Sequence, residues 1–129
     1  MILLDTHVLI WLASEPSKLS NKAADAIRHA TQNDGLAIAA ISLWELAWLV
    51  THQRLAFLGT GEAFVERIKS RTSIRPITPK IAVLANQLPA DYPRDPCDRL
   101  IAATALAEGV PLVTKDAGIR SCREIHTIW

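Results

Sequence analysis

The sequence has few of the residues that characterise disulfide-rich or membrane-spanning proteins. It holds two cysteines in 129 residues. Cys97 and Cys122 form no C-x-x-C motif and have no paired histidines nearby, so they indicate neither a zinc site nor a disulfide framework. Reduced thiols of this kind are typical of a cytoplasmic protein, which is the location we expect. The longest apolar stretch, residues 36–50, is short for a membrane span and contains Glu45, and the apolar N-terminus lacks the basic region of a signal peptide.

Aromatic residues make up only 5% of the chain, and the formal net charge is +1. The total charge therefore provides no general attraction to nucleic acid. Half of the residues are hydrophobic, mainly Ala, Leu, Ile and Val, which suits helices packed on a buried sheet. The length is sufficient for one domain and too short for two, so we expect a single domain over residues 1–129.

Short apolar runs without polar alternation are separated by segments with helix signals, which is typical of parallel strands buried on both faces. The fold class predicted is a single doubly wound α/β domain, with a parallel sheet of about four to five strands covered by helices. Strands are predicted at residues 1–4, 36–40, 74–77, 111–114 and 124–128. Pro76 indicates that the third of these is either an edge strand or not a strand. Helices are predicted at residues 7–13, 20–32, 42–52, 60–70, 78–88 and 95–109, with Ser or Thr or Asp at most of their starts.

Four acidic residues fall near one end of the predicted sheet. Asp5 directly follows the first strand, and Asp116 lies just beyond the fourth. Glu45 and Asp98 are each predicted in the first turn of a helix. Parallel sheets bind ligands beyond the carboxyl ends of their strands, so these acids mark a candidate site. Asp98 reaches it only if its helix begins at that edge and runs back to the strand at residues 111–114. We expect this direction to be opposite to that of a normal crossover helix, so the pattern alone does not place Asp98 at the site.

Clustered carboxylates repel one another, and a bound divalent cation would remove that cost. An all-oxygen ligand set favours Mg²⁺ or Mn²⁺ over zinc. The chemistry that fits is hydrolysis of a phosphodiester bond by metal-activated water. We expect Asp5, Asp98 and Asp116 to bind the cation, and Glu45 to bind it or to orient the attacking water.

Each acid also has a structural interpretation. Ser42 and Glu45 have the spacing of a capping box, and Asp95 and Asp98 nearly repeat it. Asp116 is equally suited to a turn or a helix cap. Capping does not explain why four acids would share one end of a sheet, which favours the chemical interpretation.

The motifs that carry these acids resemble those of the PIN-domain family, and within it the VapC-type toxins. Residues 2–7 (Ile-Leu-Leu-Asp-Thr-His) resemble its first motif, 41–46 its second, 95–105 its third and 112–116 its fourth. Their order and spacing extend the resemblance over residues 2–120, nearly the whole chain. The resemblance implies a Mg²⁺- or Mn²⁺-dependent ribonuclease, the toxin of a toxin-antitoxin pair, often a homodimer and inhibited by a small antitoxin. It also implies that Asp98 belongs to the shared site.

Basic and aromatic side chains are candidates for contacts with RNA. Arg71 and Arg75 lie in a strip from residue 67 to 80 that has five basic residues and no acid, and Arg99 follows Asp98; we predict that these three bind phosphate. A solvated helix face is the alternative for the strip. Trp11, Trp44, Trp48 and Trp129 are able to stack on bases. For Trp44 and Trp48, four apart on an apolar helix, we favour core packing or a protein interface.

Two other interpretations predict different proteins. The first is a phosphoryl-transfer protein of the same architecture, either a receiver domain or a haloacid-type phosphatase. A receiver domain needs adjacent acids after its first strand, and the phosphatase needs Asp-x-Asp. Asp5 is followed by Thr6 and His7, which fits neither class. The other is a catalytically silent PIN scaffold that binds protein or RNA without cutting it.

Overall fold

The computed structural model describes residues 1–90 and 94–129. Within these residues the strands are β1 (Ile2–Leu4), β2 (Leu36–Ala39), β3 (Ser73–Arg75), β4 (Leu112–Val113) and β5 (Thr127–Ile128). The α-helices are α1 (Thr6–Ser14), α2 (Asn21–Gln32), α3 (Ala40–Thr51), α4 (Gly61–Lys69), α5 (Pro79–Gln87), α6 (Pro96–Glu108) and α7 (Ala117–Arg120). A short 3₁₀ helix, Pro16–Lys18, lies between α1 and α2.

The five strands form one parallel sheet in the order β3-β2-β1-β4-β5. In the register of the central strand, Leu3 is opposite Ala37 of β2 on one side and Leu112 of β4 on the other. The predicted α/β fold class with a parallel sheet is therefore confirmed, and β3 is an edge strand, one of the two alternatives that Pro76 indicated. Because β1 is central, the residue that follows it lies in the middle of one sheet edge.

The core lies on both faces of the sheet because alternate residues of β1 point to opposite sides. Ile2 and Leu4 pack with α1, α2, α3 and α4 on one face. Leu3 packs with α6 and α7 on the other. Small residues such as Ala37 and Ala39 lie in this second cluster, which allows α6 to approach the sheet closely.

Four helix starts match the caps predicted from sequence. The side chains of Ser20, Thr60, Thr78 and Asp95 each accept a hydrogen bond from a backbone N–H in the first turn of the following helix. Helix α6 ends at Gly109, whose φ of 64° is in the left-handed region that favours glycine.

The start of α3 differs from its prediction. The chain passes directly from β2 into α3 at Ala40, and its N-cap, Ala39, makes no side-chain hydrogen bond. Ser42 is therefore not a cap, and the proposed capping box between Ser42 and Glu45 is wrong. Glu45 lies in the second turn of α3, not the first, because the helix begins two residues earlier than predicted.

No helix in residues 1–90 or 94–129 is both long and apolar enough to span a lipid bilayer.

Candidate functional site

Asp5 lies at the centre of the edge formed by the carboxyl ends of the strands. It caps α1 and is 5% exposed. One carboxylate oxygen, Oδ1, accepts a hydrogen bond from the N–H of Thr6 at 2.7 Å, and Oδ2 accepts one from Thr114 Oγ1 at 2.7 Å. Burial raises the pKa of Asp5, although the hydrogen bond from Thr114 opposes this increase. The carboxylate is therefore held in a fixed orientation in a poorly solvated position.

Thr114 connects Asp5 with Asp116 across the adjacent strands β1 and β4. While its hydroxyl donates to Asp5, its oxygen accepts from the N–H of Asp116 at 3.0 Å. Asp116 in turn caps α7, because its Oδ1 accepts from the N–H of Ile119 at 2.9 Å. The helix-cap interpretation of Asp116 is confirmed, and it coexists with proximity to Asp5, since Asp116 contributes to the raised pKa of Asp5.

Glu45 is oriented by a buried pair of hydroxyls. Thr6 Oγ1 lies 2.7 Å from Glu45 Oε1 and 2.9 Å from Ser42 Oγ. A threonine hydroxyl has one proton, and an ionised carboxylate only accepts, so with Glu45 ionised Thr6 donates to Glu45 and accepts from Ser42. Burial raises the pKa of Glu45, with further contributions from Asp5 and Asp95. Ser42 lies one helical turn before Glu45, and both side chains contact Thr6. The sequence analysis interprets the same spacing as a capping box.

Asp98 joins these acids from the first turn of α6. Its pKa is raised from 3.8 to about 7, first by burial and then by Asp5, Asp95, Asp116 and Glu45. The α6 helix begins at the carboxyl edge and runs back to supply β4. This is the ordinary direction of a helix that connects parallel strands, so the expectation that α6 would run opposite to a normal crossover helix is wrong. All four predicted acids thus lie within one electrostatic environment.

Asp95 adds a fifth negative charge at the start of α6. Its Oδ1 accepts from the N–H of Cys97 at 2.7 Å, which is the predicted cap. It also raises the pKa of Asp98 and of Glu45, although burial contributes more to both. The pKa of the Cys97 thiol is raised to about 11 by burial and by Glu45 and Asp95. The capping motif predicts the hydrogen bond of Asp95 but not its contribution to the raised pKa values of these three neighbours.

The donor set fits a hard divalent cation in its chemistry. It consists of carboxylates, and their mutual repulsion is relieved by positive charge. In the described part of the chain, however, no three His, Cys, Asp or Glu side chains are already arranged to hold a metal ion.

The three arginines predicted to bind phosphate lie in different environments. Arg99 donates to the backbone oxygens of Ala85 and Leu88, at 2.8 and 2.6 Å, and also to that of Pro89. Arg75 is ion-paired with Glu108 at the end of α6. Both guanidinium groups therefore join elements of the fold. Their binding of phosphate stays a prediction.

Arg71, the third of these arginines, is exposed and lies just beyond the C-cap of α4. With Arg67 it lines an apolar groove of about 300 Å³ between α1, α3 and α4, whose floor includes Leu9 and Phe64. None of the four acids lines this groove. Arg71 is therefore placed beside a hydrophobic surface.

Trp44 and Trp48 project from α3 into solvent, with exposed fractions of 59% and 40%. Trp48 stacks on His52, with ring centroids 4.2 Å apart. Of the two interpretations favoured for this pair, core packing is wrong, and an interface stays a prediction.

Comparison with known proteins agrees with this architecture. The PIN domain family matches residues 2–124. The chain belongs to the PIN-domain family. This PIN domain is 43% identical over 130 residues to Ribonuclease VapC22 of Mycobacterium tuberculosis (strain ATCC 25618 / H37Rv), covering 99% of this chain and 98% of the relative. The resemblance to VapC-type proteins is therefore confirmed.

Solved structures share the fold at lower identity. VapBC2 from Rickettsia felis, bound to a DNA fragment from its promoter, matches this PIN domain with a TM-score of 0.75 at 20% identity, covering 98% of this chain and 97% of that one. VapBC-1 from nontypeable Haemophilus influenzae matches with a TM-score of 0.74 at 18% identity, covering 98% and 96%. At these identities the likeness establishes the fold.

Proposed function

We propose that this PIN domain is a metal-dependent ribonuclease and the toxin of a toxin-antitoxin pair, acting in the cytoplasm. The observation that carries the proposal is the convergence of four acids from separate elements at one sheet edge, where Asp98 has a pKa raised to about 7 by burial and by the other acids. Stability alone would not favour such crowding. The identity to a protein named Ribonuclease VapC22 supports the same activity.

The proposed ligands of Mg²⁺ or Mn²⁺ are Asp5, Asp98 and Asp116, with Glu45 as a further ligand or as the group that orients the attacking water. When bound, the cation would supply a lowered pKa for that water and positive charge for the phosphate oxygens. The chain supplies the orientation. Thr114 fixes the carboxylate of Asp5, and Thr6 turns Glu45 toward the site. Attack by water and not by the RNA 2′-hydroxyl, with the 3′-oxygen as the leaving group, would give a 5′-phosphate and a 3′-hydroxyl.

The test is cleavage of end-labelled RNA by the purified protein, freed of any partner, with Mn²⁺ and with EDTA. We expect cleavage with Mn²⁺ and none with EDTA or for Asp5→Asn. Asp25→Asn provides a matched control, since Asp25 is an exposed acid on α2 paired with Arg28, and it should retain activity. Cleavage that persists in EDTA or in Asp5→Asn would refute the mechanism.

A catalytically silent scaffold is the second candidate, favoured by one observation. The described residues contain no group of three potential ligands already arranged for a metal ion. Calorimetric titration with Mn²⁺ separates the two. The ribonuclease proposal requires Mn²⁺ binding that Asp98→Asn weakens. A protein that neither binds Mn²⁺ nor cuts RNA would support the scaffold.

A small antitoxin is the proposed protein partner. Solved complexes described as VapBC share the fold over nearly the whole chain, which supports such a partner. The apolar groove rimmed by Arg67 and Arg71 is suited to an apolar helix that carries acidic residues. Co-expression with the product of the neighbouring reading frame tests this. Arg71→Glu should weaken a complex that Lys80→Glu, on α5, leaves intact.

A second copy of the chain is the proposed cover for the exposed tryptophan face of α3. Aromatic residues are enriched at interfaces, and Trp44 and Trp48 lie one turn apart on the same face. Light scattering should show a dimer that Trp44→Glu converts to a monomer. A monomeric wild-type protein would refute the proposal.

A further inference from the structure

A row of aromatic rings leads away from the acidic site across α1 to the residue after β5. His7 and Trp11 are four residues apart on α1 and therefore share a face, with ring centroids 6.1 Å apart. Trp129 follows β5, and its ring centroid is 5.8 Å from that of Trp11. These three rings, which we call the aromatic track, begin beside Asp5 at the same edge of the sheet.

The near end of the track lies next to the acids. His7 is exposed and is two residues after Asp5, in the first turn of α1. It directly follows Thr6, whose hydroxyl contacts Glu45. A chain bound along the track would therefore lead directly into the acidic site.

Lysine side chains flank the middle of the track. The Nζ atom of Lys115 is 5.8 Å from the ring centroid of Trp11, and that of Lys18 is 6.0 Å away. Lys18 is also ion-paired with Glu15 at 3.0 Å. Lys115 is exposed and lies between Thr114 and Asp116 in the sequence. It therefore carries positive charge beside Trp11 and next to the acidic site.

We propose that His7, Trp11 and Trp129, with Lys115, bind the single-stranded part of an RNA substrate next to the scissile phosphate. Proteins that bind single strands combine aromatic rings, on which bases stack, with cations that contact the backbone. The acidic site is suited to one phosphate through a cation but repels the phosphates on either side of it. Positive charge is therefore needed outside the acids, and Lys115 provides it at one exit. The inference rests on the proposed ribonuclease function.

Binding of a fluorescent single-stranded oligoribonucleotide, measured by anisotropy in EDTA, tests the track separately from cleavage. Trp129→Leu keeps apolar packing but removes the ring, and we expect about 5- to 10-fold weaker binding. Lys115→Glu should weaken binding and lower the slope of log K against log salt by about 0.7, the contribution of one phosphate contact. The matched controls are His29→Leu, which removes an exposed ring, and Lys22→Glu, both at exposed positions on α2. Both should bind as the wild type does.

Turnover with Mn²⁺ provides a second readout. Trp129→Leu should raise KM with little change in kcat, because binding and not chemistry is weakened. Wild-type affinity in both track variants, or equal losses in the controls, would overturn the proposal. Binding of polyaspartate as tight as that of RNA would also overturn it, since charge alone would then explain the affinity. If RNA binds through Trp129 but is not cut with Mn²⁺, the ribonuclease proposal fails and the track remains. If RNA is cut and the track variants bind normally, only the track fails.

Discussion

Replacing Asp98 with asparagine should stabilise the metal-free protein at neutral and alkaline pH while removing its activity. In the folded protein the pKa of Asp98 is about 7, compared with an ordinary value of 3.8. A carboxyl group with a raised folded pKa binds its proton more tightly in the native state. Stability therefore falls as the pH rises from about 4 to 7 and stays low above that range. Asparagine carries no charge and avoids this loss.

The size of the effect follows from the pKa difference. At about 1.4 kcal/mol per pKa unit, the full difference corresponds to about 4 kcal/mol. Asp98 is only partly buried, and solvent screening reduces the expected gain to about 1–2 kcal/mol. For a chain of this length that gain raises Tm by about 3–10 °C.

Thermal unfolding followed by circular dichroism in EDTA at pH 4.5 and pH 8 measures the gain. The advantage of Asp98→Asn should be present at pH 8 and small at pH 4.5, whereas Asp25→Asn should differ little from wild type at both. Adding Mn²⁺ should stabilise the wild type, by about 2.7 kcal/mol at a hundred times Kd, and the variant less. An Asp98→Asn protein that is no more stable than wild type at pH 8 in EDTA would show that the acids are not crowded.

Other variants examine the surroundings of the acids. Thr114→Val should destabilise the protein by about 1–3 kcal/mol and lower cleavage, because the buried carboxylate of Asp5 loses a hydrogen bond; urea unfolding and a cleavage assay measure both. Arg99→Ala should lower stability by a similar amount, because its donors bind backbone oxygens; the predicted phosphate contact also requires this variant to lower the salt slope of RNA binding. Iodoacetamide should label Cys97 slowly below pH 9, since its pKa is about 11. Glu45→Gln should accelerate that labelling, and an unchanged rate would contradict the stated cause.

The parallel sheet was predictable because its strands are short apolar runs without alternation, and caps such as Ser20 and Thr60 have strong local signals. The start of α3 was not predictable by the same logic. Ser42 has the side chain of a cap, but the strand leads into the helix at Ala40 without one. Tertiary packing places Ser42 in the interior, where its hydroxyl serves Thr6 instead.

The positions of the acids near strand ends could be predicted from sequence, but their individual environments could not. Nothing local in the sequence indicates that the pKa of Asp98 is raised to about 7. That increase depends on burial and on charges that include Asp5, Asp116 and Glu45, from distant segments. The same applies to the arginines, since the carbonyl partners of Arg99 lie ten or more residues away on another element.

Several of the acids at the sheet edge are also helix caps, and this determines how they are best mutated. Asp5 caps α1, Asp95 caps α6 and Asp116 caps α7. Alanine scanning would remove a charge and a cap together, at a cost of about 0.5–2 kcal/mol for each cap, and would confuse misfolding with lost chemistry. Amide replacements keep the capping oxygen and change the charge, so they separate the two duties that each side chain performs.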